Sequence, residues 1–452
     1  MNKHNKVAVN TPVGQTERVD IHKVVTQGGT WGSLLCSNHI DTLGRRCRDT
    51  GEYMYMYKKK VEVMPLAMVD DLLGVAACGH DSLAMNIFIN TQIELKKLQF
   101  HTPDAKGKSK CNVMHVGNNT GICPQLQVHG TIMQRITHDK YLGDIISSDG
   151  SNNLNIQSRV SKGQGLITQI MNILEKVTLG SHYFQVAMLL RESIFLNGIT
   201  TNAEVWYGLS AKQVAQLESV DKLLLRKLFN TPLSTPSESM QLELGILSIN
   251  TVIKARRINL LHYLINTSEK IFKVFKSQLD QPVQSDWTEQ VKIDIIDLKI
   301  GLSLDEIKLK SKNAFKRLVK VKAMDYEYNR LLVAKQGHSK MDNLFYTKLE
   351  MQNYLKLENI NADEARTLFR YRTRMAQYGE HFHGQNGPVN CPLCGLHLDS
   401  QAMAYNNCQE VKQNLSLDGN YSDIFKSDIS NNLVKSLVNI DKLREEHLSK
   451  NI

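Results

Sequence analysis

Four groups of residues in this chain have types and spacings suited to chemistry. The first is Asp70 and Asp71, adjacent carboxylates between two short apolar, β-leaning runs, 61–69 and 72–77. The pattern predicts a hairpin with the acids at its tip. Mg²⁺ takes carboxylate oxygens together with substrate phosphates, and two-metal phosphoryl transfer uses such ligands. An Asp pair is equally ordinary turn chemistry, because the side chain hydrogen-bonds nearby backbone. The second group is the loop Gln27-Gly28-Gly29 ahead of a helix starting near Gly32 and Ser33. A glycine-rich loop feeding a helix N-terminus offers N–H groups to an anion, although Gly-Gly is also a common turn. The third is Phe369-Arg370-Tyr371-Arg372-Thr373-Arg374, where guanidinium groups can pair phosphates and rings can stack on bases. The fourth is Cys391-Pro392-Leu393-Cys394-Gly395, with His397 and Cys408 downstream. Cys-x-x-Cys followed by Gly is the usual turn for a zinc-binding thiolate pair.

The elements that must position these groups follow from patterning. Asp81-Ser82 can cap a helix running to about Phe100, with Leu83, Ile87, Leu95 and Leu98 for its buried face. A basic turn at Lys108–Lys110 leads into a strand at 111–116, and Tyr141-Leu142-Gly143 sits in another strand region. From about Ser151 the chain turns helical. Expected helices are 155–176, with an interruption at Gly163–Gly165, then 183–199, 212–229 and one opening at Thr235-Pro236. Arg226, Lys227, Lys254, Arg256 and Arg257 lie along these helices, and 302–323 is rich in lysine. A final amphipathic helix is expected over 433–447.

The 452 residues exceed one domain's worth and carry a formal net charge of +10, which suits a polyanionic partner. Residues 1–10 lack the apolar core of a secretory signal. No run of about 18 apolar residues occurs, so no membrane span is expected. The eight cysteines are too sparse for a disulfide framework and fit an intracellular protein with one metal site.

The order of these segments resembles the second half of the palm of a non-LTR (LINE-type) retrotransposon reverse transcriptase. Gln27-Gly28 resembles the family's template- and nucleotide-contacting loop. Met68-Val69-Asp70-Asp71 resembles its catalytic X-X-Asp-Asp box, with Met68 where Tyr, Phe or Ala is usual. Lys110-Cys111-Asn112-Val113-Met114-His115 is similar to its Lys-Thr-Lys-Val-Met-His-type strand, and Tyr141-Leu142-Gly143 to its primer-grip turn. Leu368–Met375 is similar to the run that precedes the family's zinc segment. Within that segment Asp399-Ser400-Gln401 matches, while Met403 stands in place of the expected histidine and one extra residue precedes Cys408.

The resemblance implies an α+β fold: a partial reverse-transcriptase palm, an antiparallel sheet with packed helices, followed by a mostly α-helical thumb and connector. The implied divisions are palm 1–150, thumb 151–265, basic connector 266–385, zinc-knuckle-like segment 386–410 and polar linker with terminal helix 411–452. It implies an RNA-directed DNA polymerase acting on an RNA template, a DNA primer or target and dNTPs. Asp70 and Asp71 would hold Mg²⁺ or Mn²⁺, Gln27, Gly28 and Lys110 would contact nucleotide and template, and Tyr141, Leu142 and Gly143 would position the primer. Arg370, Arg372 and Arg374 would contact nucleic acid. Cys391, Cys394, His397 and Cys408 form the zinc expectation, with His381 and His383 as substitutes for His397 and a pair of loose thiols as the alternative. A nuclear location follows from the resemblance only. The family's first catalytic aspartate and fingers are not found upstream of Gln27, where Asp20 has a different context. The chain is therefore expected to be an N-terminally truncated copy, with a catalytically inactive nucleic-acid-binding remnant as the alternative.

Overall fold

The structure, a computed structural model, describes residues 72–76, 78–96, 100, 109–117, 124–176, 180–267, 275, 287–381, 390–426 and 429–449. It also describes residues 17, 71 and 450 and the short strands at 5–7, 10–11, 14–15, 19–21, 55–57, 61–63 and 66–68. The chain forms two compact units, residues 1–139 with 147–151, and residues 140–146 with 152–452. The fold is α+β, with helix predominating.

In the first unit the strands pair two by two. Asn5–Val7 lies antiparallel to Val19–Ile21, Tyr55–Tyr57 to Val61–Val63, and Gln127–Val128 to Thr131–Ile132. Asn112–Val113 runs parallel to Gln134–Arg135. Leu66–Met68 and Asp71–Leu73 are antiparallel, with Met68 opposite Asp71, so a hairpin forms here, but Asp71 opens its second strand and is not at the tip as expected. No strand pair among the described residues extends into a wider sheet.

The helix expected over 81–100 spans Gly79–Lys96, but its expected face is turned outward. Leu83, Ile87 and Leu95 are exposed, and Met85 and Ile93 are buried instead. Two amides on the helix decide this. Asn86 and Asn90 both donate through Nδ2 to Gln127 O, at 3.0 and 2.6 Å, and Asn86 Oδ1 accepts the Gln127 N–H at 3.0 Å.

The second unit is built from helices, several of which start on side-chain caps. Ser210 caps Ala211–Phe229 in a reciprocal box with Gln213, and Ser303 with Glu306 and Asn361 with Glu364 repeat the device. The Gly163–Gly165 segment does not interrupt its helix, which runs unbroken over Asn153–Lys176. Gly163 is there for contact: a Cβ would lie 2.8 Å from Val220 Cγ1 and 3.1 Å from Ile199 Cγ2, so only glycine lets these helices approach.

One continuous apolar core runs from Ile156 through Phe195, Leu224 and Phe229 to Phe369, Tyr405, Val434 and Ile440. It therefore includes the segments before and after the Cys-x-x-Cys turn. The terminal helix, Asn431–Lys450, buries Leu433, Leu437 and Ile440. A second cluster packs Ile258, Leu261, Val291, Phe315 and Val319.

Arginine–carboxylate pairs lock these helices together. Arg191 reaches Asp221 at 2.6 Å, Arg257 reaches Asp294 at 2.6 Å, and Arg372 reaches Glu243 at 2.9 Å, all buried. Arg372 Nη1 also donates to Ile424 O at 2.5 Å, and Tyr346 Oη donates to Glu243 Oε1 at 2.9 Å. Burial works against the charge on Arg372, but Glu243 beside it holds its pKa well above the ordinary value.

Breaking a buried pair strands a charge and costs about 3–5 kcal/mol. Arg372→Met is therefore expected to destabilise the second unit by that amount in denaturant unfolding. Adding Glu243→Gln, which removes the stranded charge but keeps an acceptor for Tyr346, is expected to recover at least about 1 kcal/mol.

Candidate functional site

The Cys-x-x-Cys turn is a small ribbon. Asn390 bridges Leu398 in antiparallel register, Cys391 N–H donates to His397 O at 2.6 Å, and Gly395 N–H donates to Cys391 O at 2.8 Å. Ser400 then caps the helix Gln401–Asn406 by accepting Met403 N–H at 3.2 Å, and Cys408 is the first residue before the helix Gln409–Asn414. This path brings Cys391, Cys394 and Cys408 together, with their sulfurs all within 4.8 Å of one another.

The three thiols could hold a metal ion. Cys391 Sγ and Cys408 Sγ are 3.9 Å apart, and tetrahedral geometry with Zn–S near 2.3 Å puts ligand sulfurs about 3.8 Å apart. Burial raises the Cys394 thiol, but N–H groups of Leu396 and His397 directed at its sulfur bring its pKa below the ordinary value. Burial and the neighbouring sulfurs push Cys408 up to about 11. A cation would relieve that crowding of sulfurs.

Three thiols meet here, and no described histidine or acid completes the group. His397 supplies its backbone carbonyl to the ribbon, and its ring is not in the cluster. His381 is half-buried beside Glu380, with Nε2 3.4 Å from the carboxylate. His383 is outside the described residues. Met403 Sδ accepts from Asn407 Nδ2 at 3.2 Å.

The Asp399-Ser400-Gln401 run holds the ribbon in place. Buried Asp399 takes two bonds from Arg444, at 2.7 and 3.0 Å, and one from Gly379 N–H at 2.8 Å. Gln401 Oε1 accepts Tyr421 Oη at 2.5 Å. Arg444 lies on the terminal helix, and no motif around it marks it as a partner of Asp399. Its signal is an arginine among the apolar repeats of an amphipathic helix.

The arginine run is placed differently from its expected role. Arg372 is 1% exposed and paired with Glu243, so it faces the core rather than a phosphate. Phe369 is buried with its ring 4.1 Å from that of Phe229, and Tyr371 is buried with its hydroxyl on Tyr378 and Asp441. Neither ring can stack on a base. Arg370 is half-buried and donates to Thr367 Oγ1 at 2.9 Å, and half-buried Arg374 sits at φ 51°. Lys254 and Arg257 are likewise paired, with Asp297 and Asp294, and Arg256 donates to Thr200 O and Asn197 Oδ1.

The Tyr141–Gly143 turn is well defined. Leu142 and Gly143 have φ of 47° and 97°, the left-handed pair of a tight hairpin turn, and glycine suits the second position. Arg159 clamps the turn by donating to Gly143 O at 2.8 Å and Asp144 Oδ1 at 2.7 Å, and Asn202 Nδ2 donates to Leu142 O at 2.9 Å. The Leu142 side chain is left exposed. Lys110 is exposed, ahead of the Asn112–Val113 strand. Asp71 begins the Asp71–Leu73 strand, while Gln27, Gly28 and Asp70 lie outside the described residues. Among the described helices none is long and apolar enough to cross a membrane. No family model matches the chain, and no curated protein matches it.

The three-thiol cluster predicts a metal stoichiometry of about one per chain. Co²⁺ added to the full chain should give thiolate charge-transfer absorption. Cys391→Ser or Cys408→Ser should weaken metal binding by about tenfold or more in chelator competition, whereas His397→Ala should leave it unchanged. Equal binding by Cys408→Ser would place the metal elsewhere.

Proposed function

We propose that this chain is a reverse-transcriptase-related protein of the non-LTR type, whose chemistry is RNA-directed DNA synthesis with two Mg²⁺ ions. In this reading a primer 3′-hydroxyl attacks the α-phosphorus of a dNTP. The new O–P bond forms as the bond to the pyrophosphate leaving group breaks. Asp70 and Asp71 hold the metals, Gln27, Gly28 and Lys110 contact nucleotide and template, and Tyr141–Gly143 positions the primer end. These roles rest on four motifs that fall in the family's order. The structural observation that carries most weight is the clamped turn: a primer-positioning loop must be rigid, and Arg159 and Asn202 fix this one to the helical unit. The Met68–Asp71 hairpin register agrees with an X-X-Asp-Asp box. Zinc at Cys391, Cys394 and Cys408 would be structural, tying the ribbon to the core.

A second reading, nucleic-acid binding without chemistry, is favoured by one feature of the helix Lys312–Gln336. Phe315, Val319 and Ala323 face the core, while Lys312, Lys316, Arg317 and Lys320 are exposed. None of the four pairs with a carboxylate among the described residues. The lysines recur every four residues, about 6 Å apart along the axis. Such a row neutralises successive phosphates without reading sequence.

Primer extension on a primed RNA template with Mg²⁺ or Mn²⁺ separates the two. Synthesis that disappears in Asp70→Asn supports the polymerase. No synthesis, with equal salt-dependent RNA binding by both chains, leaves binding alone. In either case Lys312→Glu/Lys316→Glu/Lys320→Glu is expected to lower RNA affinity and to reduce the slope of log K against log salt by roughly two to three units. An unchanged slope would remove the lysine row from the interface.

A further inference from the structure

The rings of Phe369 and Tyr371 are buried, so that run offers no stacking surface to a base. The most exposed of the described phenylalanine, tyrosine and tryptophan rings lies elsewhere in the helical unit. It is Phe345, at 76%. One exposed apolar side chain is ordinary on a protein surface. Three features set this one apart.

Phe345 is held outward from both sides. Leu344, just before it, is buried. Just after it, Tyr346 Oη donates to Glu243 Oε1 at 2.9 Å, and Tyr346 O accepts from Tyr328 Oη at 2.7 Å. Both neighbours are fixed, so the outward position of Phe345 is imposed by the fold. The ring also carries a cation. Lys335 Nζ sits over it, 5.2 Å from the centroid, and makes no ion pair among the described residues. A cation over one face is attracted by the ring quadrupole and leaves the other face for a planar group.

The third feature is continuity with the lysine row. Lys335 is on the same helix as Lys320, fifteen residues further on. That is about four turns, so the two lie about 22 Å apart along the axis and within about 60° of each other around it. The charged groups of the segment 335–348 are Lys335, Lys340, Lys348 and Asp342. Lys348 is paired with Glu350 at 3.0 Å, and the remaining balance is positive.

We propose that Phe345 is a stacking platform for a base of single-stranded nucleic acid, with Lys335 beside it as a phosphate contact. Every base has a π-face, so such a platform tolerates any sequence, and rings set beside cations are how strand-binding surfaces hold bases. The occupant is single-stranded because a base inside a duplex already has both faces stacked. The site rests on the nucleic-acid-binding reading and adds to it a contact with bases that the lysine row does not supply.

The test is fluorescence anisotropy of two labelled probes with the full chain, a short single-stranded RNA and an abasic phosphodiester strand of the same length. Phe345→Ala is expected to weaken RNA binding about tenfold, the loss of one stacked base. Its affinity for the abasic strand and its thermal midpoint should equal those of the parent chain, because an exposed side chain contributes little to the stability of the fold. Phe345→Trp is expected to keep the parent affinity, and its added indole fluorescence should be quenched by RNA but not by the abasic strand. RNA affinity that Phe345→Ala leaves unchanged, or a loss equal for both probes, overturns the proposal and leaves the phosphate contacts of the lysine row standing. A chain that binds neither probe removes nucleic-acid binding itself, and this site with it.

Discussion

The buried pairing of Glu243 with Arg372 is the contact on which the helical unit depends. Five parts of the chain meet at it. Glu243 belongs to the helix Ser237–Leu244 and Arg372 to the helix Ala362–Arg372. Tyr346 donates to the carboxylate, Tyr354 lies under the guanidinium with its ring centroid 5.5 Å away, and the carbonyl of Ile424 takes another arginine N–H. A buried ion pair adds little net stability, because desolvation offsets attraction. It does penalise any arrangement in which either partner is stranded, so it selects one packing of these segments. Arg191 with Asp221, Arg257 with Asp294 and Arg444 with Asp399 do the same elsewhere in the unit.

This use of arginine shapes how the chain can meet a polyanion. The guanidinium fork is the better group for bidentate recognition, yet here several forks are turned inward and satisfied by protein carboxylates. The exposed positive charge of the helix Lys312–Gln336 is mainly lysine, a hydrated point charge on a flexible stem. A surface of that kind favours salt-sensitive association with backbone phosphates over recognition of particular bases. The same core that absorbs the arginines carries the cysteine ribbon, since Cys391 and Cys408 are part of its buried set. Metal at the three thiols would therefore act on the stability of the whole helical unit, not on a separate appendage.

Much of this was legible in the sequence, and the failures have physical causes. Helix extents were readable where the apolar repeat is regular, as for Ala211–Phe229, expected from 212, but the cap expected at Asp81-Ser82 is not one: the helix starts at Gly79, and Ser82 Oγ donates to Gly79 O at 2.7 Å. The convergence of Cys391 and Cys394 was readable from a short turn. The fate of Arg372 was not, because its partner lies 129 residues away in sequence. A run of arginines alternating with rings looks the same whether it faces a phosphate or a carboxylate. Gly163 misled for a related reason, since its role is contact with Val220 and Ile199 on other elements. The outward face of the helix Gly79–Lys96 was set by amide bonds from Asn86 and Asn90 to a strand more than 35 residues on, which apolar periodicity does not register.

Nucleic-acid binding by this chain is tested most directly by photo-crosslinking a bound RNA–DNA primer–template to the full chain at low salt, with the crosslinked peptides mapped by mass spectrometry. Crosslinks are expected on the lysine-bearing turns of the helix Lys312–Gln336 and at the Tyr141–Gly143 turn, and none on Phe369, Tyr371 or Arg372. Crosslinks concentrated on that buried run, or a chain that captures no primer–template at low salt, would contradict that expectation.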